Sequence, residues 1–181
     1  MALICGIDEA GRGPLAGPVC AGAVVLPKDF PFEILKDSKK LSPKRRLEAE
    51  KIIKEGALCW SVAWANHKEI DKFNILGATF LAMQRAFKRI DMAVDLVVVD
   101  GNQTPQLGVA CYSIVKGDAS VFEIMAASIL AKTARDRFMI KMDALYPRYG
   151  YAQHKGYPTL THRQACRQWG ASPIQRLTFN Y

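Results

Sequence analysis

Ala2-Leu3-Ile4-Cys5-Gly6-Ile7 runs straight into Asp8-Glu9-Ala10-Gly11-Arg12-Gly13-Pro14. The first six residues predict a strand, and the acidic pair after it predicts a site at the strand end. Successive strand side chains point to opposite faces, so Asp8 can face a cleft while Glu9 reaches around from the end. Crowded, partly buried carboxylates ordinarily take up protons unless something cationic holds them ionised. All-oxygen ligands suit Mg²⁺ or Mn²⁺. The glycines of Gly11-Arg12-Gly13 let backbone approach a ligand closely, and Arg12 adds a fixed cation.

Working outward, Val19 to Leu26 predicts a second strand, joined to the first by a connection punctuated by Pro14, Gly17 and Pro18. The two should pair antiparallel. Ser42-Pro43 is a helix start, with a capping hydroxyl followed by the residue tolerated at the first helical position. That helix should stop near Gly56. Leu58 to Ala65 predicts a third strand, and His67 to Ile90 a helix broken around Asn74. Asp95-Leu96-Val97-Val98-Val99-Asp100 lacks alternation, as expected of a strand buried on both faces. Ala110 to Val115 predicts a fifth strand, closed by Lys116-Gly117-Asp118. The longest helix should run from Ser120 to Leu145, with Ser120 and Glu123 as a capping box, and a short helix from Thr161 to Trp169.

Three antiparallel strands followed by strands alternating with helices predict an α/β fold with a five-stranded mixed sheet flanked by helices. The expected organisation is a core over 1–150 and a short helical C-terminal appendage over 151–181 that completes the substrate cleft. Asp8, Asp100 and Asp118 all fall at or just past strand ends, where ligand sites of open α/β sheets gather. With Glu9 they supply the carboxylates that two-metal phosphoryl transfer needs. Asp136 is excluded: it lies about five helical turns, roughly 27 Å, beyond Asp118. Lys132, four residues before it, is its expected ion-pair partner.

A formal net charge of +8 favours a polyanionic partner. Lys39, Lys40, Lys44, Arg45 and Arg46 cluster at a helix start and predict a phosphate-docking surface. Tyr157 could stack on a sugar or base, although a lone aromatic is more often packing. His67, His154 and His162 lack ligand spacing and read as surface or capping residues. Five cysteines without Cys-x-x-Cys spacing argue against zinc or a disulfide framework and for a reducing cytoplasm. No apolar run is long enough for a membrane span, and no basic segment opens a secretory signal. Nothing demands more than a monomer.

The blocks Ile7 to Pro14, Asp37-Ser38-Lys39-Lys40-Leu41, Val99 to Asn102, Lys116-Gly117-Asp118, Ala126 to Lys132 and His154-Lys155-Gly156-Tyr157 together resemble ribonuclease HII, the type 2 ribonucleases H. They span nearly the whole chain in the family's order. The resemblance implies an RNase H-like fold and Mg²⁺- or Mn²⁺-dependent cleavage of the RNA strand of RNA–DNA hybrids. It also implies incision 5′ of a single ribonucleotide in duplex DNA, leaving 3′-hydroxyl and 5′-phosphate ends. Asp8, Glu9, Asp100 and Asp118 match the metal-binding, catalytic carboxylates, and Asp8 would bridge two cations. Gly11, Arg12 and Gly13 match the motif that reads the ribose 2′-hydroxyl, Lys39 and Lys40 join the substrate-binding set, and Tyr157 matches the aromatic at the RNA-to-DNA junction. A replication clamp is a further candidate partner. Gln103 departs from the Arg often found after Gly-Asn, and the chain stops soon after Phe179. A non-catalytic hybrid-binding protein and another nuclease of the same fold are the rival readings. The first need not retain four acids; the second has no need of Gly-Arg-Gly and Tyr157.

Overall fold

A computed structural model describes residues 2–35 and 42–180. Its centre is a five-stranded sheet of β1 (Ile4–Ala10), β2 (Val19–Val25), β3 (Cys59–Ala65), β4 (Leu96–Asp100) and β5 (Cys111–Ile114), in the order β3-β2-β1-β4-β5. β1, β2 and β3 are antiparallel neighbours, whereas β1, β4 and β5 run parallel. The mixed sheet is the one expected. β1 differs in extent: it continues through the acidic pair, because Asp8, Glu9 and Ala10 pair with Gly22, Ala21 and Cys20. Asp8 and Glu9 are therefore strand residues on opposite faces, not a turn. β4 is interior, with Val97, Val98 and Val99 all buried, as its unbroken apolar run requires.

The helices are α1 (Pro43–Gly56), α2 (His67–Phe87), α3 (Phe122–Leu145), α4 (Tyr151–His154) and α5 (Leu160–Trp169). One sheet face, carrying Cys5, Ile7, Ala21, Ala23, Val97 and Val99, packs on α2 through Ala78, Ala82 and Met83. The other receives α3 through Ala126, Ala127 and Leu130, with Ile53 of α1 behind it. Two glycines set how closely α3 approaches. A Cβ at Gly6 would stand 2.2 Å from the Glu123 carbonyl carbon, and one at Gly22 would stand 2.4 Å from the Ala127 oxygen. Asp8 shares the face of Gly6, so this close approach brings α3 over it.

Ser42 caps α1 with Pro43 at its first position, and its hydroxyl accepts from the Arg45 amide at 3.3 Å. The break in α2 falls on Asn74, which has φ 59° and ψ 174°. Its Oδ1 accepts from the Leu76 and Gly77 amides at 2.9 and 3.0 Å, recapping the helix beyond the break. The capping box expected at Ser120 and Glu123 does not form. α3 starts two residues later behind an extended Val121, and the Ser120 hydroxyl donates to the Lys116 carbonyl instead. A 3₁₀ turn over Gly117–Ala119 occupies the space that such a cap would need.

The C-terminal segment folds back on the loop after β1. Leu15 and Gly17 donate to the Gly156 and Ile174 carbonyls, and Arg176 returns a bond to Leu15. Ala16, Met139, Tyr151 and Ile174 form a small separate core there. Contrary to the reading as surface or capping residues, His154 and His162 are buried in this segment, with stacked rings 4.5 Å apart. Among the described residues no helix is long and apolar enough to cross a membrane.

Candidate functional site

The acidic site is built by strand register. Ile7 pairs with Val99, so Asp8 and Asp100 stand one residue further along adjacent parallel strands. Asp118 reaches the same end of the sheet through the 3₁₀ turn after β5, where its amide donates to Asp100 Oδ1 at 3.3 Å. Glu9 follows on the other face, 3.4 Å from the Arg12 guanidinium. The structure thus gathers all four predicted acids at one end of the sheet.

At Asp8 and Glu9, burial and like charge act together against ionisation. Asp8 is 5% exposed. Burial first, then the charges of Glu9 and Asp100, push its carboxyl well above the usual carboxylate range. Its compensation is small: the Glu9 amide donates to it at 2.7 Å, and the Ser128 hydroxyl, brought up by α3, pulls it down. Glu9 is also raised, by burial and by Asp100, against the opposing pull of Arg12. As the side chains stand, no three His, Cys, Asp or Glu among the described residues close a coordination shell. The donor set nonetheless fits a hard divalent cation: several oxygens and crowded negative charge, with Arg12 the cation beside Glu9.

Beside the acids lies a cleft of about 390 Å³ lined by Glu9, Gly11, Arg12, Gly13, Ser128, Lys132 and Tyr157. A Cβ at Gly13 would stand 3.6 Å from the Tyr157 ring, so the glycine backbone lies directly against the aromatic. Tyr157 is 40% exposed, and Lys132 Nζ and Arg135 Cζ each lie 6.0 Å from its ring centre. Asp100, Gln103 and the recapped part of α2, including Leu76 and Thr79, border a second groove on the far side of Glu9 and Arg12. Lys39 and Lys40 lie outside the described residues. Of the rest of that basic cluster, Arg46 lines the cleft.

Sequence reasoning missed Ser128 and the cleft role of Lys132. Lys132 does form the predicted ion pair, 2.7 Å from Asp136. Ser128 lies among alanines on α3, and a lone hydroxyl in a run of small helical residues gave no signal beyond close packing. Tyr157 is held from below by the buried histidines. The Gly156 amide donates to His154 Nδ1 at 3.2 Å, and His162 Nδ1 is 2.9 Å from the Tyr157 carbonyl. The five cysteines are free thiols, and burial pushes Cys5 up to about 12, as expected of inert packing residues.

The family model for ribonuclease HII matches residues 5–181 of this chain. The chain is 53% identical over 177 residues to the ribonuclease HII of Dechloromonas aromatica (strain RCB), covering 98% of this chain and 90% of that protein. The crystal structure of the ribonuclease H2 from Pyrococcus horikoshii OT3 superposes with a TM-score of 0.80 at 25% identity, covering 98% of this chain and 94% of that one. A ribonuclease HII from Archaeoglobus fulgidus, solved as a complex with PCNA, shares the fold with a TM-score of 0.80 at 22% identity, covering 99% and 96% of the two chains.

Proposed function

The chain belongs to the ribonuclease HII family, a family of nucleases, and from that premise we propose that it cleaves the RNA strand of RNA–DNA hybrids and incises duplex DNA 5′ of a single embedded ribonucleotide. The products carry 3′-hydroxyl and 5′-phosphate ends. The observation that carries this reading is the adjacency of two dissimilar surfaces. The buried Asp8 and the half-buried Glu9 and Asp100, mutually repelling, border the cleft floored by Gly11, Arg12 and Gly13 and flanked by Tyr157. An acid cluster alone would repel a polyanion, whereas Arg12, Arg46 and Lys132 on the cleft wall attract one.

Asp8, Glu9, Asp100 and Asp118 would hold Mg²⁺ or Mn²⁺ ions. Bound there, the ions supply an activated water and charge neutralisation at the departing 3′-oxygen. The remaining work belongs to the chain. The Glu9 amide orients the Asp8 carboxylate, with the Ser128 hydroxyl beside it favouring the ionised form. The glycine backbone on either side of Arg12 comes close enough to a sugar to distinguish a 2′-hydroxyl from hydrogen without reading the base. Tyr157 offers a face for the adjacent nucleotide, and Lys132 and Arg46 take phosphates. A replication-clamp partner is proposed on a separate footing, supported by the structural neighbour that forms a complex with PCNA.

The test is a nicking assay on three labelled duplexes: all DNA, DNA with one ribonucleotide, and an RNA–DNA hybrid. Cleavage of the second and third, dependent on Mg²⁺ or Mn²⁺ and sparing the first, is expected. Cleavage of the hybrid alone would remove the single-ribonucleotide part of the reading. Tight binding without any cleavage would replace the enzyme with a binding protein.

A further inference from the structure

Two arginines are buried directly beneath the cleft, Arg135 at 1% and Arg176 at 0% exposure. Among the described residues neither has a carboxylate within ion-pair distance. Their partners are backbone carbonyls. Arg176 donates through Nη2 to Gly11 at 2.5 Å, through Nη1 to Arg12 at 2.8 Å and through Nε to Gly17 at 2.9 Å. Arg135 donates to Pro18 at 2.9 Å, to Ala16 at 3.1 Å and to Lys155 at 3.0 Å. The pair therefore ties the turn after β1 to the segment that carries Tyr157.

Burying two like charges side by side is costly. Burial, together with the charge of Arg135, pulls the Arg176 guanidinium down to about 9, which leaves it charged at neutral pH. The geometry of the turn indicates what that cost secures. In a trans peptide the N–H points opposite to the C=O, and no cis bond occurs among the described residues. Drawing the Gly11 and Arg12 carbonyls inward turns the Arg12 and Gly13 amides outward, where both residues line the cleft. Among the described residues neither amide donates to an acceptor within the protein. Gly11 has φ +99°, and a Cβ there would stand 2.0 Å from Arg135 Nε, so the guanidinium lies flush against the turn.

We propose that Arg176, backed by Arg135, is a positioning residue for ribose recognition: it anchors the carbonyl side of the Gly11-Arg12-Gly13 turn and thereby presents the Arg12 and Gly13 amides as a donor pair to the sugar and phosphate at the cut site. The inference rests on the function proposed above and adds the residue that aims the reading groups. A lysine cannot substitute, because its single ammonium lacks the fork that spans the Gly11, Arg12, Gly17 and Pro18 carbonyls.

Arg176→Lys retains the cation and loses the fork. In that variant kcat on the single-ribonucleotide duplex should fall on the order of 10- to 100-fold, the scale set by small misplacements of positioning groups. Its affinity for all-DNA duplex should stay near that of the unaltered protein, while its Tm falls, because buried carbonyls lose their donors. A folded Arg176→Lys variant with unaltered kcat overturns the proposal. Should the variant not fold, amide NMR of the isotope-labelled, unaltered protein without divalent ions decides. The Arg12 and Gly13 amide signals should shift with the single-ribonucleotide duplex and not with all-DNA duplex, and equal responses to both overturn it. An unaltered protein that cleaves no ribonucleotide-containing duplex defeats the reading of the site itself, whatever the variant does.

Discussion

Asp8 and Glu50 are equally buried carboxylates, each 5% exposed, and they have opposite fates. Burial would push Glu50 up, but two hydrogen bonds from Arg137 and one from Lys54 outweigh it and hold the carboxyl below its usual range. Around Asp8 the neighbouring charges are Glu9 and Asp100, so burial and repulsion act in the same direction. Their side chains are equally covered, but Asp8 lies deeper among protein atoms, so burial acts more strongly on it; the neighbours then add to that effect at Asp8 and outweigh it at Glu50. A carboxylate supplied with cationic donors by its own chain is an element of stability. One surrounded by other carboxylates is held in an unfavourable state that a ligand from outside can relieve, which is a common cost at functional sites.

The largest effect should come from Asp8→Asn. It should lower kcat by on the order of 100- to 1,000-fold or more, the scale seen when one electrostatic group of a preorganised site is lost. Duplex binding should survive. The same substitution removes a repelling charge, so without divalent ions its Tm should equal or exceed that of the unaltered chain. Titrated Mn²⁺ should raise the Tm of the unaltered chain and not of the variant. A lower Tm for Asp8→Asn without metal would break the comparison, because Asp8 would then be an ordinary structural residue.

Glu50→Gln should do the reverse. Losing one member of a buried ion cluster costs roughly 3–5 kcal/mol, and the partial exposure of Arg137 and Lys54 reduces this to about 1–2 kcal/mol. Activity per folded molecule should not change. A carboxyl held lower in the folded than in the unfolded chain contributes stability above the unfolded value, and that contribution is lost as pH falls through the folded one. Acid titration followed by Tm should therefore be steeper for the unaltered protein than for Glu50→Gln, and equal slopes would remove the contrast.

Lys132→Ala should have the smallest effect on stability. Its pair with Asp136 is partly exposed and contributes about 0.5 kcal/mol or less. Since Lys132 also lines the cleft, the salt dependence of duplex binding should drop by about one phosphate contact. An unchanged salt slope would move Lys132 from the substrate surface to the helix surface alone.

Much of this could be read along the chain, and the reason is range. The cap at Ser42, the break at Asn74 and the Lys132–Asp136 pair involve partners within four residues, so spacing alone exposes them. The capping box at Ser120 is a local reading that failed, because the tight turn holding Asp118 displaced the helix start. The burial of His154 and His162 is not legible in the sequence, because nothing near them says that the tail closes over them.

The sequence by itself determined the alternation of elements, the burial of β4 on both faces and the placing of four acids at or just past strand ends, since each depends on residue type and local pattern. Tertiary structure alone decided that Asp8 and Asp100 are neighbours, that α3 delivers Ser128 to Asp8, and that Arg176 supports a turn more than 150 residues earlier in the chain. Those contacts depend on strand register and on carbonyls, which every residue possesses, so no side-chain pattern announces them.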